Sequence, residues 1–331
     1  MDSNVSKNTF SHKFFKLRFT NENTSIAVKN LLKQKLHSIF SLYLQSVDSA
    51  IDPQFFASAL EPKIALLKPC IESITANVKI GKVLSTPQLT PIVYKCSIAL
   101  ALGSYFKIAP QIIAVNAIGL LKSEPNKIIS ESGFDLYVEI TESGWINFYW
   151  DSLSLSSWLQ QSFLFVNTQR SSERNLSMIC PLNKTPTNLF SVQYVHARCC
   201  SLLYLAARKK LFVFQTDNSQ TEIGRLLQPK SISWLDAQNN LWLKSTVEFQ
   251  LIHQLLEMTD AFTNGSAKWN KLAINLSQTT AIFISECRFS GVTRHEYPPE
   301  AIARLGLIVL TQYWLQRILV EKLNVAAPTS L

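Results

Sequence analysis

Apolar residues recur at helical spacing over residues 24–46, where Val28, Leu31, Leu32, Leu36, Ile39, Phe40 and Tyr43 are interleaved with Lys29, Lys33 and Lys35. Steps of three and four residues predict an amphipathic helix. Residues 73–84, 135–140 and 145–150 alternate and carry β-branched or aromatic side chains, which predicts strands flanking a helical pair at 93–104 and 109–122. Pro110 stands in the first turn expected of the second helix, a position proline tolerates. Residues 1–162 therefore read as a small α+β domain. From 163 to 188 the periodicity fades and Ser, Asn, Thr and Pro accumulate, which predicts a linker. Beyond it, helices are expected at 189–209, 246–263, 267–287 and 298–323, with 231–244 either helical or extended. Residues 189–331 read as an all-α helical bundle.

Composition adds a core and a sign of charge. At 331 residues and 47% hydrophobic, the chain can bury a substantial core, and its length suits about two domains. The net charge of +9 favours a polyanionic partner. Six cysteines without a secretory signal, two of them adjacent, read as reduced thiols, and no C-x-x-C spacing is present. The apolar stretch 108–121 is interrupted by Pro110 and Asn116, and 305–320 by Gln312, Gln316 and Arg317. Neither meets the requirement for a membrane span, so a cytoplasmic location and no membrane partner are expected.

Chemistry narrows by subtraction. The nine glycines are too widely spaced for a P-loop or a dinucleotide fingerprint, and the five histidines are too isolated for a zinc helix. No G-x-S-x-G surrounds a serine. No catalytic residue, cofactor or metal is expected.

The stretch SVQYVHARCCSLLYLAARKK, residues 191–210, then stands out. On a helix Tyr194, Arg198 and Ser201 share one face, while His196 projects to the other side near Cys199, Cys200 and Leu203. A His–Cys nucleophile would need a third, orienting group, so packing is the better reading of His196. Arg198, Arg208, Lys209 and Lys210 read as a basic edge.

SVQYVHARCCSLL resembles the opening helix of the DALR anticodon-binding domain of arginyl-tRNA synthetases, usually QYAHAR followed by an apolar helix. AIARLGLIVLTQYWLQRILVEKLNVAAPTSL resembles that domain's closing helix, and LAINLSQTTAIFISECRF its penultimate one. IALALGSYFKIAPQIIAVNAIGLL is similar to the helix–turn–helix of the same enzymes' N-terminal additional domain, and VEITESGWINFYW to that domain's closing segment. The sequence differs from the usual pattern at Val93, Ser97, Gln111, Ile284, Gln312, Ile318 and Leu331.

In that family a catalytic domain with HIGH and KMSK-type signatures lies between the two parts. Here residues 163–188 take its place, and neither signature occurs. The resemblance implies a non-catalytic tRNA-binding protein, not an enzyme, which escorts or presents tRNA(Arg)-like molecules. It implies phosphate contacts from Arg198, Arg208, Lys209, Lys268, Lys271, Arg304 and Arg317, and base stacking by Tyr194 and by Tyr313 or Trp314. Two alternatives follow from the same resemblance: a scaffold that binds a protein partner on the face vacated by the catalytic domain, and a trans-acting subunit in arginyl-tRNA aminoacylation.

Overall fold

The computed structural model describes residues 15–20, 26–48, 68–69, 71, 74–78, 89–121, 133–172, 189–215, 223–265, 268–289 and 299–331. Among them the chain divides into two compact units. The first takes those within Met1–Thr20, Leu31–Asn77 and Val93–Trp150, and the second those within Asn21–Asn30, Val78–Ile92 and Asp151–Leu331.

The first unit mixes sheet and helices. Five strands, β1 (Phe15–Thr20), β2 (Thr75–Val78), β3 (Leu89–Cys96), β4 (Gly133–Ile140) and β5 (Ile146–Asp151), lie in the order β1-β4-β5-β3-β2. β4 pairs antiparallel with β1, Leu17 opposite Leu136, and with β5, Val138 opposite Phe148. All six residues of β5 are buried, as befits a strand in the middle of a sheet. Two of its polar side chains bond the neighbouring strand: Asn147 Nδ2 and Tyr149 Oη both donate to Glu139 Oε2, at 2.9 and 2.7 Å. Helix α1 (Val28–Asp48) follows the predicted 24–46 pattern, burying Leu32, Leu36, Ile39, Phe40 and Tyr43.

The helical pair is α2 (Ile98–Phe106) and α3 (Pro110–Leu121). Residues 93–96, expected to begin the first helix, instead finish β3, whose run of β-branched and aromatic side chains suits a pleated, buried strand. Lys107 ends α2 in a left-handed conformation (φ 58°), and Pro110 opens α3 as its position predicts. Two glycines let the chain close around that proline. A Cβ on Gly103 would lie 2.7 Å from Pro110 Cγ, and one on Gly144, at φ +88°, would lie 2.4 Å from Pro110 Cβ.

The helices of the second unit's long C-terminal stretch start with α4 (Ser152–Ser172), capped by Asp151, whose Oδ1 accepts from the Ser154 N–H at 2.7 Å. This corrects the expected linker at 163–188: residues 163–172 are helical and belong with the second unit, while 173–188 lie outside the described residues. Seven serines lower the helix propensity here, and SLSLSS imitates a strand. The helical period emerges once serines are admitted to the core, because Ser154, Leu155, Trp158, Leu159, Ser162, Phe163 and Val166 are the buried positions.

Helices α5 (Phe190–Arg208), α6 (Thr246–Asn264), α7 (Trp269–Glu286) and α8 (Pro299–Arg317) follow, and α8 passes into a π-helical turn, Ile318–Lys322. Every residue of α8 from Leu305 to Leu315 is buried, because α4, α5, α6 and α7 all pack on it. Gly306 opens room for a neighbour: a Cβ there would lie 2.6 Å from Trp234 Cη2. Helix α6 opens on a capping box, with Ser245 Oγ accepting from the Glu248 N–H and Glu248 Oε2 accepting from the Ser245 N–H. The unit is not all-α, which corrects the expectation for 189–331. Strands β6 (Val213–Phe214) and β7 (Leu226–Gln228) form an antiparallel ribbon, and residues 231–244 are non-helical around a Leu235–Leu241 bridge.

Two glycine substitutions should separate conformational strain from collision. Gly265 (φ +70°) has open space around it, so Gly265→Ala should cost about 1 kcal/mol in urea unfolding. Gly144→Ala adds the collision with Pro110 and should cost at least about 2 kcal/mol more. Equal losses would show that Pro110 yields freely.

Candidate nucleic-acid interface

Helix α5 has two unlike sides. Val192, Gln193, Val195, His196, Ala197, Cys199, Cys200, Leu203 and Ala206 are buried. Outside lie Phe190, Ser191, Tyr194, Arg198, Ser201, Tyr204, Leu205 and Arg208, which from Ser191 on recur at steps of three or four with Tyr204 beside Leu205; Phe190 is 59% and Tyr194 54% exposed. The helix carries no acid at all. Its end is extended by Lys209 and Lys210, both exposed. Exposed rings and guanidinium groups on an acid-free face can stack on unpaired bases and attract phosphates.

Among the predicted contacts, Arg198, Arg208, Lys209, Lys268 and Lys271 are exposed and have no ion pair among the described residues. Lys268 is the N-cap of α7, and Lys271 lies in its first turn, which contains no acid. Two cations there add to the positive end of the helix dipole rather than offsetting it.

Four other candidates are committed to the protein itself. Tyr313 is 2% exposed and Trp314 is buried beside it, stacked near Phe165 and tilted against Phe262, so neither ring is open to a base. Arg317 donates through Nε and Nη2 to the Glu321 carboxylate and through Nη1 to Tyr313 Oη, and lies 5.3 Å from the Phe262 ring centre. Arg304 Nε donates to Glu248 Oε1 at 2.6 Å, Nη1 to the Arg288 carbonyl at 2.9 Å, and Nη2 to Glu300. A guanidinium so engaged has few donors left for phosphate. Arg304, Tyr313, Trp314 and Arg317, expected as RNA contacts, are instead engaged within the fold by α4, α6, the Arg288 carbonyl or their own chain segment.

The buried side of α5 carries a polar relay. Gln312 Oε1 of α8 accepts from Arg170 Nη2 of α4, which fixes the amide so that Gln312 Nε2 donates to His196 Nε2 at 2.9 Å. His196 must then hold its proton on Nδ1, which donates to the Pro328 carbonyl at 2.8 Å. Gln193 Nε2 donates to the Ala326 carbonyl at 2.8 Å. The C-terminal segment is thus fastened to α5 by two backbone acceptors. Burial, with the Arg170 charge nearby, holds the imidazole down at about 4 against the pull of the Pro328 bond. Burial pushes the Cys200 thiol up to about 12 and holds the Cys199 thiol well above its ordinary value, so His196 and Cys200, 3.9 Å apart, do not form an activated nucleophile. His196 is a packed, hydrogen-bonded residue, as its side of the helix predicts. Arg170 carries no local sequence signal, and Gln312 shows only as a polar break in the apolar stretch 305–320, since each acquires its role from a partner on another helix.

Among the described residues no group of three or more His, Cys, Asp or Glu is placed to hold a metal ion, and no single helix is long and apolar enough to cross a membrane. Compared with known proteins, the chain matches no family model, no curated protein and no solved structure.

Two outcomes follow. His196 is neutral when folded, and its folded value lies below the ordinary 6.5, so its contribution to stability is complete above about pH 6.5 and is lost as the pH falls towards 4. The stability advantage of the wild type over His196→Gln, read by urea unfolding across that range, should shrink by an amount on the order of 3 kcal/mol. A constant advantage would mean that the imidazole stays neutral in both states. Arg304→Met leaves the buried Glu248 carboxylate without its guanidinium and should cost about 3 kcal/mol, with the urea m-value unchanged.

Proposed function

We propose that the chain is a non-catalytic tRNA-binding protein that grips RNA on the exposed face of α5. One observation carries this reading: the QYVHARCC segment buries its histidine and cysteines and turns Tyr194 and Arg198 outward on a helix with no acid. Arg208, Lys209, Lys268 and Lys271 supplement the positive charge, and the net charge of +9 adds a long-range attraction for a polyanion. The resemblance to arginyl-tRNA synthetase accessory domains makes tRNA(Arg)-like molecules the first RNAs to try. The absence of HIGH and KMSK-type signatures from the sequence supports escort or presentation of tRNA rather than aminoacylation by this chain.

A specific surface favours a second reading, a protein-docking scaffold. Tyr105, Ile108, Ile112 and Val115 are exposed on α2, α3 and their connection, Trp145 is exposed at the turn that abuts Pro110, and Lys107 is the sole charged residue from Ile98 to Leu121. Exposed apolar clusters of this kind commonly mark interaction surfaces.

Filter binding against total tRNA, with duplex DNA as competitor, distinguishes the two. Selective retention of tRNA is expected, with Tyr194→Ala weakening it about tenfold through a lost stacking contact. Arg198→Gln should reduce the slope of log affinity against log salt by about one. Retention that duplex DNA abolishes, or that neither substitution alters, would refute the α5 grip and favour the scaffold.

A further inference from the structure

The positive surface does not end with α5. Arg208 closes the helix, and Lys209 and Lys210 follow, with Lys210 at φ +59° where the chain turns towards β6. In the ribbon Val213 pairs with Gln228 and Phe214 with Leu226. Lys210 precedes Val213 by three residues and Lys230 follows Gln228 by two, so both lysines lie beyond the same, open end of the ribbon. Arg225 sits at the opposite end, its carbonyl accepting from the Gln215 N–H at 2.7 Å. Arg208, Lys209, Lys210, Arg225 and Lys230 are all exposed, and none has an ion pair among the described residues. Residues 189–215 and 223–235 contain no Asp or Glu.

The ribbon is anchored through its backbone, which leaves these cations uncommitted. Asn167 of α4 exchanges two hydrogen bonds with Leu226, Nδ2 donating to its carbonyl and Oδ1 accepting from its N–H, both at 2.9 Å. Arg170 Nη1 donates to the Ile223 carbonyl at 3.3 Å. Ile223 and Leu226 are buried on either side of the half-buried Gly224 and the exposed Arg225, so Arg225 projects from a fixed support. Fixed cations lose less conformational freedom on meeting a phosphate than cations on a loose tail.

A separation of tasks follows from distance. Tyr194 and Arg208 are fourteen positions apart on one helix, or about 21 Å along its axis at 1.5 Å per residue. Stacking at the Phe190–Tyr194 end and phosphate contact at the Arg208–Lys230 end therefore engage different parts of one RNA. We propose that the β6–β7 ribbon is a second, phosphate-binding arm that, with the C-terminal end of α5, holds the backbone of a double-stranded RNA segment. An array of point charges on an anchored backbone suits a duplex, whose phosphates are regularly placed and whose paired bases are not available for stacking. The inference rests on the RNA-binding reading above and adds the arm, its residues and the form of RNA it takes.

The test uses the full chain and two probes, a blunt RNA duplex without unpaired bases and single-stranded poly(U), each titrated over a series of KCl concentrations. The double variant Arg225→Gln/Lys230→Gln should lower the duplex salt slope by about two and leave poly(U) affinity within about twofold. Tyr194→Ala should do the reverse, weakening poly(U) and sparing the duplex. Circular dichroism and urea unfolding of the double variant should match the wild type, since both side chains are exposed and the ribbon's fastening is to backbone groups. A duplex slope that the double variant leaves unchanged, or a wild type that holds poly(U) but not duplex, would overturn the arm while leaving the α5 grip standing. A wild type that binds neither probe would remove the RNA reading itself.

Discussion

The second unit depends on how a helix with no wet face deals with its polar side chains. Helix α8 is buried from Leu305 to Leu315, and Gln312 lies in the middle of that run. An amide left without partners there would cost on the order of 1–3 kcal/mol. Gln312 instead accepts from Arg170 and donates to His196, so a potential defect becomes the junction of α4, α5 and α8. The junction works in one protonation state only. Arg170 fixes the amide orientation, the amide fixes the imidazole tautomer, and the imidazole's remaining N–H finds the Pro328 carbonyl. The C-terminal segment is held in place by the end of this chain of donors and acceptors.

The same relay explains the two sides of α5. Holding His196 and Gln193 inward towards the C-terminal segment rotates the helix so that Tyr194 and Arg198 must face solvent, since residues two apart on a helix lie on nearly opposite sides. The exposed face is therefore set by what the buried face has to satisfy. The absence of acids on α5 makes that face electropositive without any special arrangement. Helix α8 shows the contrast: its cations sit beside Glu248, Glu300 and Glu321, and their charge is consumed within the fold.

Legibility in the sequence followed periodicity. The helices over 190–208, 246–264, 269–286 and 299–317 lie close to the apolar spacing that predicts them, and so does α1. Helix α4 is masked by its seven serines: its first half reads as the end of the 1–162 domain and its second half as linker, and the helix shows only once tertiary packing admits Ser154 and Ser162 to the core. The start of α2 was misplaced because Val93 and Tyr94 are apolar enough for a helix, and only strand pairing decides that they are β3. The β6–β7 ribbon is too short for its two- and three-residue strands to show alternation.

By itself the sequence determined the sides of α5, the lack of the local motifs that nucleotide or zinc chemistry requires, and the surplus of positive charge, because these are properties of spacing and count. The tertiary structure alone decided which cations remain available. Arg317 meets Glu321 one turn away on its own chain segment, but Arg304 is engaged by Glu248, 56 residues distant. Arg198 and Arg304 look alike in the sequence. Charge is fixed by residue type, whereas its availability depends on neighbours that only folding brings within a few ångströms.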